Sequence, residues 1–277
     1  MSSSRVVLVT GASSGIGRAC ALHLAARGFR VYGTSRNAVT EPGPFAMLQM
    51  DVTGLDSVHG AIGLVLEREG RIDVVVNNAG IAIAGPLEST SIEEAQRQLD
   101  VNLFGAFRVC REVLPQMRRQ GGGYIVNVGS IGGLIAIPYQ PLYSASKFAL
   151  EGMSEALRFE LRPFGIRVVI VEPGDTRTAL TRNRTTTADE ATRGLYGPFR
   201  AALGRMERDE RRGPEPETVA RLVHRIVTTP DPRLRYTAGP AQQRAAVWLK
   251  RLLPNSLVER GLRDYYGLNA RASRSRP

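Results

Sequence analysis

Val6-Val7-Leu8-Val9-Thr10-Gly11-Ala12-Ser13-Ser14-Gly15-Ile16-Gly17 is the stretch on which the fold turns. Its unbroken apolar start predicts a strand over Arg5–Thr10 that is buried on both faces. A helical pattern follows from Gly15 to about Arg27, carried by Ile16, Ala19, Cys20, Leu22, Leu24 and Ala26. Gly28 closes it as a C-cap. Three glycines at a strand-to-helix turn let the backbone approach a pyrophosphate, and the helix N-terminus adds free N–H groups and a positive dipole end. Gly11, Ser13, Ser14, Gly15, Ile16 and Gly17 are therefore the expected phosphate cradle of a dinucleotide.

Outward from this unit the pattern repeats. Strands are predicted over Arg30–Thr34, Phe45–Met50, Ile72–Val76, Tyr124–Val128, Arg167–Val171 and Leu234–Ala238, with helices near 54–70, 91–119, 142–163 and 215–228. Alternating strands and helices predict an α/β chain: a single Rossmann-type, doubly wound parallel sheet with helices on both faces. Residues 1–240 form the expected dinucleotide-binding and catalytic domain. Within it, 176–213 is rich in Thr and Arg without long periodicity, which predicts a substrate loop. Residues 241–277 form a C-terminal helical extension, divided by Pro254 into two amphipathic helices that pack on the body. Shallow contact with a membrane is the minority reading of that extension.

The 277 residues carry a formal net charge of +11, and it is unevenly placed. Residues 1–176 hold 16 basic and 16 acidic side chains, whereas 177–277 hold 21 basic and 10 acidic. The basic third has few aromatics and no recognised nucleic-acid motif, so no nucleic acid is expected as partner. No apolar stretch reaches a membrane span, and Met1-Ser-Ser-Ser-Arg5 lacks a signal peptide's layout, so a cytoplasmic location is expected. Cys20 and Cys110 fall in helical segments as buried free thiols, and the three histidines show no ligand spacing, so no metal site is expected.

Two further features carry chemistry. The second strand ends Gly33-Thr34-Ser35-Arg36, with no acid to bind a ribose diol; Ser35 and Arg36 suit a 2′-phosphate, which favours NADP(H) over NAD(H). Second, only two of the 37 basic residues are lysines, and one, Lys147, stands four residues after Tyr143. A compact ammonium one helical turn from a phenol can lower its pKa and prepare it for acid–base work near neutral pH, which a wide guanidinium does less well.

Together these residues resemble the classical short-chain dehydrogenase/reductase family. The resemblance rests on Thr10-Gly-x-x-x-Gly-x-Gly17, Asn77-Asn78-Ala79-Gly80, Asn102, Ser130 standing 13 residues before Tyr143, Tyr143-x-x-x-Lys147 and Pro173-Gly174. It covers about residues 5–240, and the sequence from Tyr143 to Gly174 looks nearest the hydroxysteroid and retinol dehydrogenase branch. The resemblance implies a catalytic tetrad of Asn102, Ser130, Tyr143 and Lys147: Tyr143 as acid/base, Lys147 holding the tyrosinate and the nicotinamide ribose, Ser130 polarising the carbonyl, Asn102 holding a water. It also implies cofactor contacts at Asp51 and Val52 with adenine, at Asn78, Ala79 and Gly80, at Pro173, Gly174 and Thr176, and at Thr178 near the phosphates. Asp175-Thr176-Arg177 departs from the apolar residues usual in the family after Pro-Gly.

The function expected on this basis is an NADP(H)-dependent oxidoreductase interconverting a carbonyl and an alcohol on a small hydrophobic substrate that is steroid-, retinoid- or lipid-like. The alternatives are a reductase of 3-oxoacyl chains on carrier protein or CoA, suggested by the basic C-terminal third, and a non-catalytic nucleotide sensor on the same fold. The family resemblance also implies a homodimer or homotetramer, with Gly152, Ala156 and Leu157 available for contacts.

Overall fold

The structure is a computed structural model and describes residues 4–37, 43–187 and 190–269. In chain order its elements are β1 (Val6–Val9), α1 (Gly15–Ala25), β2 (Arg30–Ser35), β3 (Ala46–Gln49), α2 (Leu55–Glu69), β4 (Val74–Asn77) and β5 (Ile83–Ala84). Then come α3 (Ile92–Leu99), α4 (Gly105–Arg119), β6 (Gly123–Val128), α5 (Pro141–Leu161), β7 (Ile166–Pro173), α6 (Leu180–Asn183) and β8 (Thr185–Thr186). The last are α7 (Glu190–Leu195), α8 (Phe199–Arg212), α9 (Glu217–Val227), β9 (Arg235–Ala238), α10 (Ala241–Lys250) and α11 (Asn255–Tyr266).

Seven strands form one parallel sheet in the order β3-β2-β1-β4-β6-β7-β9. β1 shows why the sheet is covered twice. Successive side chains point to opposite faces, so Val7 and Val9 join the core under α1 and α9, while Val6 and Leu8 join the core under α2 and α4. Each fully buried Val or Leu contributes about 1.5–3 kcal/mol, which makes the two apolar layers the main source of cohesion. The chain order reverses direction between β1 and β4, and in such sheets the ligand crevice opens there, beyond the carboxyl ends of the strands. The returns from helix to strand, at Gly28, Gly70, Gly121-Gly122 and Gly165, lie at the opposite end of the sheet.

The predicted strands are all present, with ends shifted by one or two residues. Residues 176–213 are the main correction. Instead of a loop, the segment carries α6, β8, α7 and the 14-residue α8. Only Phe199, Ala202 and Met206 of α8 are buried, and the rest is mostly Arg, Asp and Glu, so the apolar stripe is too thin to read among the charges. β8 pairs with β5 in a small second parallel sheet. The extension does break at Pro254, but it packs lightly: Val247 is buried, whereas Trp248 is 66% exposed. Residues 188–189 of the expected loop and 270–277 of the expected extension lie outside the described residues.

Candidate active site

The glycine turn between β1 and α1 is held by side chains from the end of β4. Thr10 Oγ1 accepts the N–H groups of Asn78 and Ala79, both at 2.9 Å, and Asn78 Nδ2 donates to Thr10 O at 3.0 Å and Gly11 O at 3.2 Å. Gly11 has φ +66°, and a Cβ there would sit 3.0 Å from Ala79 Cα. No side chain caps the first turn of α1, so its N–H groups are free to take an anion. A bare backbone floor with unclaimed donors fits the pyrophosphate of a dinucleotide.

One cleft of about 1610 Å³ runs along the carboxyl ends of the strands. Of the expected cofactor residues, Gly11, Ser13, Ser14, Gly15, Ile16, Ser35, Arg36, Asp51, Val52, Asn78, Ala79, Gly80, Pro173, Gly174, Thr176 and Thr178 line it. Gly17 does not; it is buried and packs against Asn78 and Gly11, where a side chain would collide with both. At the β2 end, the Ser35 hydroxyl donates to Asn37 O, and Arg36 is exposed beside Asp51. Burial pushes the Asp51 carboxyl up, but hydrogen bonds from Thr53 and the charges of Arg36 and Arg108 outweigh it and hold it below the usual range.

On the other side, β6 leads into Ser130, which caps the 3-10 turn Ile131–Gly133 by accepting the Gly132 N–H at 2.9 Å. That turn packs on α5: a Cβ at Gly133 would lie 2.9 Å from Lys147 O, so α5 comes as close as a bare backbone allows. Tyr143 and Lys147 stand one turn apart on α5 and both face the cleft. Lys147 Nζ donates to Val128 O at 2.9 Å and lies 5.9 Å from the Tyr143 ring centre. Asn102 stands behind this wall, in a π-helical turn (Asp100–Phe104) between α3 and α4. Its Oδ1 accepts the Ile81 N–H at 2.8 Å, and its Nδ2 donates to Ile81 O and Ser146 Oγ, both at 3.1 Å. Its side chain is thus tied to Ile81 and Ser146 and does not line the cleft.

The family profile for short chain dehydrogenase matches residues 5–189. This chain belongs to the short-chain dehydrogenase family, and it is an oxidoreductase. Among curated relatives it is similar to 3-ketodihydrosphingosine reductase of Bacteroides thetaiotaomicron, 41% identical over 95% of this chain and 98% of that one. It is also similar to 17-beta-hydroxysteroid dehydrogenase type 1 of Homo sapiens, 36% identical over 83% of this chain and 76% of that one. Among solved structures it resembles a short-chain dehydrogenase from Streptomyces avermitilis, with TM-score 0.78, 33% identity, and 96% and 98% of the two chains covered.

In this short-chain dehydrogenase, burial dominates the electrostatics of the site. It raises the Tyr143 phenol above its ordinary value; a hydrogen bond from Ser130 opposes it, Glu210 adds to it and Arg184 opposes it. The direction is opposite to the sequence expectation of a phenol lowered by Lys147, because desolvation dominates and outweighs the opposing Ser130 and Arg184. Burial also pushes Lys147 down to about 8, with Glu151 pulling upward. Several residues that line or support the cleft gave no signal in the sequence. Gln98 on α3 accepts the Ile83 N–H at 2.9 Å and donates to Ile81 O at 2.7 Å, tying down the strand after Gly80. Arg184, Asp209 and Glu210 reach the cleft from the charged segment around α8, and Gln243 reaches it from α10. Gln243 grips Asp175 twice, accepting from its N–H at 2.9 Å and donating to its carboxylate. Among the described residues, no cluster of side chains could hold a metal ion, and no helix is long and apolar enough to cross a membrane.

Proposed function

We propose that the chain is an NADP(H)-dependent reductase and dehydrogenase of a hydrophobic carbonyl or alcohol, with Tyr143 as its acid/base. The carrying observation is that Ser130, Tyr143 and Lys147 share one wall of the cleft. The glycine floor at Gly11–Gly15 lies on the other side of the sheet's crossover. When bound, the nicotinamide dinucleotide supplies or accepts the hydride. Ser130 hydrogen-bonds the carbonyl oxygen and orients it. Tyr143 gives that oxygen its phenolic proton during reduction and takes it back during oxidation. Lys147 holds charge beside the phenol, anchored by Val128 O. Asn102 fixes the Ile81 backbone beneath Gly80 and so positions this wall. Ser35 and Arg36 take the 2′-phosphate, which favours NADP(H).

For the substrate, the apolar Leu249, Leu253 and Leu257 on the extension side of the cleft support a lipid-like or steroid-like body over a small sugar. The curated relatives named for a sphingoid ketone and for a steroid point the same way. Exposed Phe107 on α4, with Phe159 on α5, supports a homo-oligomer through those helices. The deciding experiment is NADPH oxidation against a panel of long-chain, steroid and retinoid ketones, repeated with Tyr143→Phe. Turnover with the wild type and its loss in the variant are expected; a variant with full turnover would refute Tyr143 as the acid.

A further inference from the structure

Asp175 stands where the family resemblance puts an apolar residue, directly after Pro173-Gly174 and on the cleft wall. Its carboxylate is held by the neutral Gln243. Two more acids of α8, Asp209 and Glu210, line the same region, and their partners differ. Asp209 is satisfied by Arg205 at 2.8 Å and by the Tyr265 hydroxyl at 2.7 Å. Glu210 pairs through Oε1 with Arg184. Two guanidinium groups thus answer three carboxylates, and Asp175 is the one left without a cation; Arg212 is exposed at the rim.

The Arg184–Glu210 pair is also incomplete. The Arg184 side chain is only 3% exposed, yet its Nε and Nη1 have no hydrogen-bond partner, and neither has Glu210 Oε2. A polar group left unmet in a protein interior is costly, and a native structure seldom leaves three together without a reason. These groups are near the reacting position: Glu210, Arg184 and Asp175 are all among the charges that act on Tyr143. Burial pushes Asp175 up to about 6, the Gln243 hydrogen bond opposes it, and Glu210 and Asp209 add to the rise against Arg184. The local field is therefore negative, and it wants a cation.

We propose that Asp175, Arg184 and Glu210 form a polar-head subsite for a ketone bearing an ammonium group next to the carbonyl and a hydroxyl beyond it. Asp175 and Glu210 accept hydrogen bonds from the ammonium, and Arg184 donates to the hydroxyl oxygen. The alkyl chain then runs along Leu249, Leu253 and Leu257. The inference rests on the carbonyl-reductase reading above and narrows its substrate class to long-chain amino ketones.

The test compares three ketones of equal chain length with NADPH at neutral pH: a 1-hydroxy-2-amino-3-ketone, its N-acetyl derivative, and the 1-hydroxy-3-ketone without nitrogen. A kcat/KM for the free amine at least tenfold above both others is expected. In Asp175→Asn and in Glu210→Gln that preference ratio should fall at least tenfold. Ratios are read within one protein preparation, so partial loss of folded enzyme cancels. If a variant does not fold, the wild-type comparison of the three ketones decides. Equal kcat/KM for the three overturns the subsite and leaves the reductase reading standing. Preference for the free amine that survives in both variants overturns the assignment to these residues. No turnover of any ketone by the wild type removes the reductase reading, and the subsite with it.

Discussion

At the scale of single residues, Lys147 carries the sharpest expectations. With its folded value pushed to about 8 by burial, it is an ammonium at neutral pH and loses its charge just above. Reductive turnover should therefore fall on an alkaline limb near pH 8, and residual turnover in Lys147→Gln should lack that limb. Stability moves the other way. The folded value lies below that of a free lysine, so between about 8 and 10.4 the unfolded chain binds more protons, and this group's contribution to stability rises with pH across that window. Denaturant midpoints of wild type and Lys147→Gln, compared at pH 7.5 and 9.5, check this sign. Tyr143→Phe removes the proton donor, and kcat should fall by about 10²–10⁴-fold. At the other end of the cleft, Arg36→Asp exchanges a charge-assisted partner of about 1.5–3 kcal/mol for repulsion. The ratio of kcat/KM for NADPH over NADH should then drop by at least about tenfold; an unmoved ratio would discard Arg36 as the phosphate partner. The glycines and the Tyr143–Lys147 pair are legible in the sequence because local spacing fixes them, and Ser130 is legible through the family resemblance. The direction of the Tyr143 shift is not, because burial is a property of the fold and spacing carries only the nearby charge.

At the scale of elements, α5 ties the catalytic wall to the edge of the sheet. Glu151, one turn after Lys147, is buried near Glu172 of β7, and Arg235 of β9 reaches Glu151 at 2.9 Å, Glu155 at 2.5 Å and Glu172 at 3.9 Å. Burial and then Glu172 push Glu151 up to about 7. A carboxyl raised in the fold contributes stability that is full below its unfolded value near about 4.3 and is lost as pH rises through the folded value. The predicted consequence is a decline in denaturant midpoint from pH 5 to pH 7.5 that Glu151→Gln makes shallower; an identical slope in the variant would contradict it. The helices differ in how well they could be read. α1, α2 and α9 bury broad apolar stripes, and the sequence pattern found them. α8 buries three side chains under a crowd of charges, a pattern that reads as loop in the sequence. The π-helical turn at Asp100–Phe104 was equally hidden, since one extra residue per turn leaves no mark in composition.

At the scale of the whole molecule, the sheet and the cofactor cleft followed from the alternation of strands and helices, whereas the substrate wall did not. That side of the cleft is assembled from the end of α6, α8, α10 and α11, whose contacts are long-range: Arg184 to Glu210, Gln243 to Asp175, Tyr265 to Asp209. Because the cleft spans the sheet from Arg36 to Gly174, occupying it should stabilise the fold as a unit. A dinucleotide at a hundred times its Kd adds about 2.7 kcal/mol, or roughly 5–10 °C in Tm for a chain of this size. The shift should be larger with NADPH than with NADH, by differential scanning fluorimetry at equal concentrations; a larger shift with NADH would reverse the cofactor preference. A parallel sheet also gives the molecule two unlike poles. All the chemistry gathers where the strands end, while the turns at Gly28, Gly70, Gly121 and Gly165 gather where they begin, outside the cleft. A catalyst fixed to a bead or electrode through those turns would hold its mouth toward the solution, and one fixed through α10 or α11 would face the wall.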